Sequence, residues 1–552
     1  MSRLPIVWAL GCVVVLGVAF WSVSWPYVDA YNNLNEASRW TWSQYVRYAF
    51  GGGTEYRPLL TLGTKLAYEV VGLHLWVYQA VVLLQYAAVL GLLVWLFRPI
   101  GTRRGMAAAV AIACVVGLHS TRILFFFVPL NAHSAALVLV LVAVALAVDP
   151  RARTFDWIFF PLTLVALPVL ESSLLIAPLV AVLWWLKAPG VSARAVAGVA
   201  AAVIVYLAVR FTFGVVQGAS IYTGSGLGLS FADPETLRDV FQRAPWLFWV
   251  YNVVATFLTV AASEPRAGVY EFVKSLLGGE TPLWRWWHVG SSVLTTVVMA
   301  AALRSYRPAS SRDRLLLGSG LVLVVFGSAL GFLYTRDRIA ISAGVGYAIV
   351  LYVAIAALLD RLPASGWRRP VLAAVTGVIA CAWVVRSAEA YVQLRDLAWD
   401  YHLEWTTRYE DLGGPAQPQI EILTSMRSAA LRDTPDNPRL DPAWTFMLFE
   451  RRYSPQGEEP AGNADAAADN AVPTLSPPFN VRWKLEADDA SRVRLEAVIG
   501  LVDGRPVTSD PRGRTWSYRL RRPTPDRVRT LLRHPLVEDT ARIDAARLEI
   551  VE

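Results

Sequence analysis

Asp29, Glu171 and the triplet Arg336-Asp337-Arg338 stand at the edges of long apolar runs. A carboxylate there is partly shielded from water, and desolvation raises its affinity for protons and suits it to act as a base. Asp29 lies a few residues past the first apolar run, and its plainer reading is a solvated acid beside a membrane. Glu171 separates two apolar half-runs and is flanked by Pro168 and Pro178. Its plainer reading is an acid at a helix N-terminus, where negative charge is favoured. Two arginines flanking one aspartate can clamp a phosphate through bidentate hydrogen bonds, or can simply stop two helices at a polar turn. Arg57, within Tyr56-Arg57-Pro58-Leu59, offers a second phosphate contact or an anchor at lipid headgroups. His119, three residues before Arg122, can orient a hydroxyl or phosphate, or serve as a hydrogen-bonded structural histidine. His74 and His133 read as structural. Arg210 and Arg386, near helix ends, read as snorkelling side chains without a role.

The 552-residue chain is 55% hydrophobic and only 17% charged, with a mean hydropathy of +0.42. An average soluble chain carries about 25% charged residues. The composition excludes a disordered chain, a disulfide scaffold and an ordinary cytosolic enzyme. Cys12, Cys114 and Cys381 all lie in apolar runs and offer neither a disulfide framework nor metal-ligand spacing. No HExxH, GxSxG, Walker A or nucleotide-sugar glycine pattern is present. Residues 1–390 hold 29 Lys and Arg against 17 Asp and Glu, whereas residues 391–552 hold 22 against 26. That contrast reads as a membrane domain, 1–390, followed by a soluble domain, 391–552. The net charge of +8 calls for no nucleic acid, because most of the basic residues fall in loops between apolar runs.

A hydrocarbon core of about 30 Å takes roughly 20 helical residues to cross. Apolar runs at 5–25, 73–97, 105–120, 129–148, 156–170, 171–187, 193–213, 289–304, 315–334, 339–360 and 370–389 predict about 11 spans. Alternate loops carry Arg98, Arg103 and Arg104; Arg151 and Arg153; Lys187 and Arg194; Arg304, Arg307, Arg312 and Arg314; and Arg361, Arg368 and Arg369. The positive-inside rule places these loops and the N-terminus in the cytoplasm. Residues 243–262 are apolar enough to span, but counting them would put the Arg304–Arg314 cluster outside. Residues 214–288 are therefore expected to form an outer-face excursion, partly helical and re-entrant, with Trp284, Trp286 and Trp287 as interfacial anchors. An odd number of spans puts the tail on the outer face. The first run lacks a small-x-small cleavage site and is expected to stay as an anchor in the inner membrane.

The outer loop, 26–72, contains Trp-Thr-Trp-Ser-Gln-Tyr-Val-Arg-Tyr-Ala-Phe, which predicts a short amphipathic helix with Trp42, Tyr45, Val46 and Ala49 on one membrane-facing side. Here the chain resembles GT-C membrane glycosyltransferases, especially protein O-mannosyltransferases and their TPR-bearing relatives. The residues that carry the resemblance are Asp29, Thr41–Phe50, Tyr56-Arg57-Pro58-Leu59, Gly117–Arg122 around His119, Leu167–Leu179 around Glu171, and Tyr334–Tyr347 around Arg336 and Arg338. They occur in the family's order over residues 1–390. Ser120 replaces a proline, Leu170 replaces a lysine, and Ala30 stands where the family often has a second acid. The missing second acid weakens a metal-binding role and leaves Asp29 as the sole acid there; participation of a divalent cation stays open, and no other cofactor is called for. The tail shows no 34-residue repeat, so the TPR subgroup does not extend to it.

The resemblance implies a mainly α, polytopic GT-C-like enzyme that moves a sugar from a polyprenyl phosphate to a hydroxyl of a cell-envelope glycan, lipid or protein. It implies Asp29 as general base, with inversion at the anomeric carbon. Glu171 and His119 would orient substrate, and Arg336, Arg338 and Arg57 would meet the phosphate. The tail carries alternating segments, Val-Arg-Trp-Lys-Leu-Glu-Ala-Asp, Arg492–Val502, Thr515–Arg522 and Ala546–Glu552, which predict a small α+β periplasmic domain. A flippase for lipid-linked glycans would instead need charges along a path through the whole bilayer. A non-catalytic scaffold would leave Asp29, Glu171 and Arg338 apart.

Overall fold

Leu, Val and Ala dominate the first 390 residues, and without water such a chain satisfies its backbone polar groups within helices. The computed structural model describes residues 3–23, 37, 40–51, 57–72, 75–98, 101–121, 130–213, 245–262, 268–279, 281, 283–304, 310–332, 337–360 and 368–405, and six strands between 482 and 539. It is mainly helical. The chain divides into one unit of Met1–Trp21 with Glu36–Gln393 and another of Ser22–Asn35 with Leu394–Glu552.

The described helices are α1 (Leu4–Val23), α2 (Trp42–Gly51), α3 (Pro58–Val71), α4 (Leu75–Phe97), α5 (Gly101–Gly117), α6 (Ala132–Val148), α7 (Phe159–Ala166), α8 (Ile176–Trp185), α9 (Ala193–Phe213), α10 (Pro245–Ala261), α11 (Gly268–Leu277), α12 (Leu283–Arg304), α13 (Ser311–Ala329), α14 (Ile341–Asp360) and α15 (Arg368–Trp405), of which the last residues of α1 and of α15 belong to the second unit and the rest to the first. Among the described residues five segments are long and apolar enough to cross a membrane: Trp76–Phe97, Ala193–Arg210, Leu283–Arg304, Ile341–Asp360 and Pro370–Tyr391. Leu4–Val18, Ala132–Val148, Glu171–Trp185 and Trp246–Ala261 are apolar but shorter. The two runs expected at 156–170 and 171–187 form the short α7 and α8. Pro168, which cannot donate a backbone hydrogen bond, sits where α7 stops.

The centre of the unit is α14, of which nearly every residue is buried. Its tightest partner is α13, and glycines set their approach. A Cβ on Gly346 would lie 2.7 Å from the Gly320 carbonyl, and one on Gly327 would lie 2.9 Å from the Ala343 nitrogen. Small residues that let helix backbones touch are the usual device where lipid removes the hydrophobic drive to pair.

The expected inner loops meet at one end of this unit. Arg104 donates to both oxygens of Asp313 at 3.2 and 3.1 Å, and to Asp360 at 3.1 Å. Arg103 donates to the Leu359 carbonyl, and Arg312 closes the C-terminus of α4 through the Leu96 and Trp95 carbonyls. The Gly190 amide reaches the Ala147 carbonyl, joining the two loops that carry Lys187 and Asp149.

α10 takes a different course from a simple span. Asn252 is level with Phe332, just past the end of α13, and donates to its carbonyl. The α10 C-terminus stops deeper, where the Ala261 carbonyl accepts from Thr296, itself bonded to Tyr347. The amphipathic helix expected near Trp42 is present as α2, with Tyr45 and Ala49 buried and Trp42 and Val46 exposed. Buried Lys65 lies 5.9 Å from the Trp42 ring centre, donates to the Ala37 carbonyl at 2.7 Å and pairs with Glu69.

In the second unit, β1 (Arg482–Asp489), β2 (Arg492–Val498), β5 (Ser517–Arg519) and β6 (Val537–Asp539) form a sheet in the order β5-β2-β1-β6. β1 and β2 form an antiparallel hairpin with Leu485 opposite Leu495, and β6 joins β1 in parallel. β3 (Gly500–Val502) and β4 (Arg505–Val507) form a separate pair. The expected single strand over 492–502 is thus two, and the segment 546–552 lies outside the described residues.

Gly346→Val is expected to destabilise the protein by about 3 kcal/mol, since it overpacks a backbone contact. Gly11→Val, where a Cβ meets nothing within 4 Å, should be nearly neutral. Thermal unfolding in detergent micelles measures both.

Candidate functional site

Pro58 and Leu59 occupy the first turn of α3, where amides have no intrahelical acceptor. The Pro168 carbonyl accepts the Leu59 amide at 3.2 Å. This backbone bond docks the start of α3 on the turn after α7. Leu60 and Val169 reinforce it by packing on Ala132, Ala136 and Leu170. Leu170 is extended, and Glu171 begins a 3-10 segment, Glu171–Leu175. Arg57 and Glu171 are thereby placed side by side, although 114 residues separate them in sequence. Arg57 Nε donates to Glu171 Oε2 at 2.9 Å.

α9 supplies the third member. Tyr206 packs against Leu167. One turn later Arg210 Nη1 approaches Glu171 Oε1 at 3.4 Å and donates to the Tyr206 hydroxyl at 2.9 Å. At 1.5 Å per residue, Arg210 stands about 25 Å along α9 from Ala193, which follows the loop held to Ala147. The cluster therefore lies at the end of the unit opposite Arg104 and Asp313. The three side chains are 21–26% exposed. Among the described residues, two guanidinium groups face one carboxylate, and these three side chains sum to +1. Planar forks held by a shared acid suit an anion, and a phosphate above all.

The structure thus brings together Arg57 and Glu171 of the expected residues and adds Arg210, which the sequence reading left without a role. Asp29 and Arg336 lie outside the described residues. The backbone of Arg338 forms part of a 3-10 turn, Asp337–Ala340, between α13 and α14. His119 opens a 3-10 turn after α5 and interacts electrostatically with His288 of α12.

His288 belongs to a second polar group that sequence reasoning missed. Arg386, expected to snorkel, is 1% exposed. It donates to the His288 carbonyl and Ser291 Oγ at 3.1 Å, and to Ser292 Oγ at 2.5 Å. Its guanidinium lies 4.4 Å from the Trp383 ring centre. Glu389, one turn along α15, holds His288 Nε2 at 2.7 Å. Burial without compensation would cost an arginine several kcal/mol, which the surrounding acceptors and Glu389 offset. Gly117 makes room for this knot, since a Cβ there would lie 3.1 Å from Arg386 Cβ. The sequence signal was an Arg and a Glu three residues apart on one helix face inside an apolar run.

Among the described residues no three His, Cys, Asp or Glu side chains gather as a metal centre. No family model matches the chain, and comparison with curated proteins finds no match.

Glu171→Gln removes the charge that holds Arg57 beside Arg210. It is expected to destabilise the protein by about 1 kcal/mol, a value kept small by the partial exposure of the cluster. Adding Arg210→Gln relieves the repulsion and should recover most of that loss. A double-mutant cycle of thermal midpoints checks the coupling.

Proposed function

We propose that the protein is a membrane glycosyltransferase of GT-C type, which moves a sugar from a polyprenyl phosphate to a hydroxyl acceptor in the cell envelope. The observation that carries the reading is the Arg57–Glu171–Arg210 cluster, which draws three distant segments to the end of the helical unit opposite its arginine-carboxylate seams. The leaving group of this reaction is a prenyl phosphate, whose charge grows in the transition state. Guanidinium groups positioned in advance stabilise that charge without reorganising. Glu171 keeps them positioned, while Arg336 and Arg338 are further candidates for the phosphate and His119 for orienting substrate. Asp29 is the general base on the acceptor hydroxyl, and attack from the opposite face inverts the anomeric carbon.

In this reading the chain crosses the inner membrane about 11 times, through the five long helices and the other apolar runs of the sequence, with α10 not counted as a crossing. The loops joined by Arg104 face the cytoplasm, since positive charge is retained there. The tail is a small α+β domain on the periplasmic side, facing the glycan, lipid or protein acceptor.

Protein in nanodiscs, supplied with radiolabelled polyprenyl-phosphate hexoses, should transfer label to envelope extracts. Deletion of the gene should remove one glycan from lipopolysaccharide, wall polymer or glycoprotein. Asp29→Asn should cut transfer at least about 100-fold, the scale of a lost general base. Arg57→Ala and Arg210→Ala should each raise KM for the donor and lower kcat. Full activity in Asp29→Asn would remove the base from the mechanism. An unchanged glycan profile, with no labelled donor accepted, would overturn the transferase reading.

A further inference from the structure

α4 ends in Trp95-Leu96-Phe97, and Arg98 follows it in a left-handed backbone, with φ at +36°. The Arg98 amide closes the helix on the Val94 carbonyl at 3.0 Å. Glycine is the residue that takes such a backbone freely at a helix end. Among the described residues, Arg98 and Lys187 alone combine a side chain with positive φ, and both are exposed cations just past a helix. Trp184 stands three residues before Lys187, as Trp95 does before Arg98. The Arg98 guanidinium carbon lies 4.3 Å from the Trp95 ring centre, and that of Arg312 lies 5.7 Å from it. Arg312 spends Nε and Nη2 on the Leu96 and Trp95 carbonyls, and among the described residues none accepts from its Nη1.

Two cations beside one indole repel each other. Burial first, and then the charge of Arg98, works against the charge on Arg312, while Tyr352, Asp313 and Asp149 work for it. The Tyr352 hydroxyl donates to the Phe97 carbonyl, and Asp149 accepts from the Arg151 amide. Asp313 and Asp360 both go to Arg104, so among the described residues neither Arg98 nor Arg312 has a carboxylate of its own. Arg312 already answers the last carbonyls of α4, which leaves that helix end with no need of Arg98. A glycine at 98 would relieve both the backbone and the repulsion. An apolar stripe leads to the same ring: Leu84, Gly91 and Trp95 share one face of α4 at helical spacing. Leu84 is 68% exposed, and a Cβ on Gly91 would meet nothing within 4 Å, so a notch opens one turn from Trp95. A free phosphate would use the cations alone, and a neutral acyl chain the stripe alone. An amphiphile with an anionic head uses both.

We propose that Arg98, Arg312 and Trp95 form a seat for an anionic phospholipid of the inner leaflet, with its phosphate against the two guanidinium groups and an acyl chain along Gly91 and Leu84. The seat lies at the end of the unit that carries Arg104. It rests on the proposed topology, in which that end faces the cytoplasm, and not on the transfer reaction. Native mass spectrometry of the full-length protein in detergent, titrated with phosphatidylglycerol or with phosphatidylcholine of the same chains, tests it. Wild-type protein should bind its first phosphatidylglycerol about tenfold more tightly than phosphatidylcholine, the scale of a charge-assisted hydrogen bond. Arg98→Gly, which suits the left-handed backbone, should keep the thermal midpoint and lose that preference. Arg153→Gln removes one exposed charge from another inner loop and should leave the preference intact. Inorganic phosphate in large excess should not displace the lipid. Equal binding of the two lipids, a preference kept in Arg98→Gly, or an equal loss in Arg153→Gln overturns the seat. A lowered midpoint in Arg98→Gly assigns the arginine to the helix end and overturns it too, and displacement by inorganic phosphate replaces the lipid with a bare ion. A preference lost only in Arg98→Gly upholds the seat, even where the protein transfers no sugar.

Discussion

A charge inside an apolar helical bundle must be met by a partner, because neither lipid nor packed side chains can solvate it. The described part of the helical unit obeys this constraint at each buried charge. Arg104 holds two carboxylates, Asp313 and Asp360. Lys65 holds a carbonyl and Glu69. Arg386 has three acceptors on α12 and Glu389 nearby on its own helix. Each bond joins segments that the sequence keeps apart, so the charges act as rivets between helices whose surfaces are otherwise apolar and interchangeable.

The two ends of the unit use this chemistry differently. At one end arginines are answered by carboxylates or by helix C-terminal carbonyls, as Arg312 is by Leu96 and Trp95. Helix ends satisfied in this way form closed seams. At the other end the helices are interrupted: α7 stops at Pro168, α8 begins after a 3-10 segment, and α10 stops partway at Thr296. Such interruptions supply turns, helix termini and irregular backbone, from which binding sites in membrane proteins are built. The Arg57–Glu171–Arg210 cluster belongs to this interrupted end.

Much of the architecture was legible one residue at a time. The helix over Trp42–Gly51 follows from its periodicity, and the hairpin of β1 and β2 from alternation. The arginine loops were assigned to one side by their charge, and the structure joins them at one end. Other features were hidden because they depend on partners. Arg210 and Arg386 stand near the ends of their apolar runs in the sequence, where snorkelling is the default reading. Only the positions of Glu171, Ser291 and Ser292 turn them inward. Asn252 reads as an ordinary polar residue in an apolar run until Phe332 is seen against it.

Hydropathy, loop charge and prolines are local properties, and they determined that the first 390 residues form apolar helices, where those helices break, and which turns carry charge. They did not determine which helices touch, because one apolar surface packs on another with little preference. That choice fell to the glycines of α13 and α14 and to hydrogen bonds such as Leu59 to Pro168. These are short-range, directional contacts that exist only once the chain has folded, and they brought an arginine and a glutamate 114 residues apart within 2.9 Å.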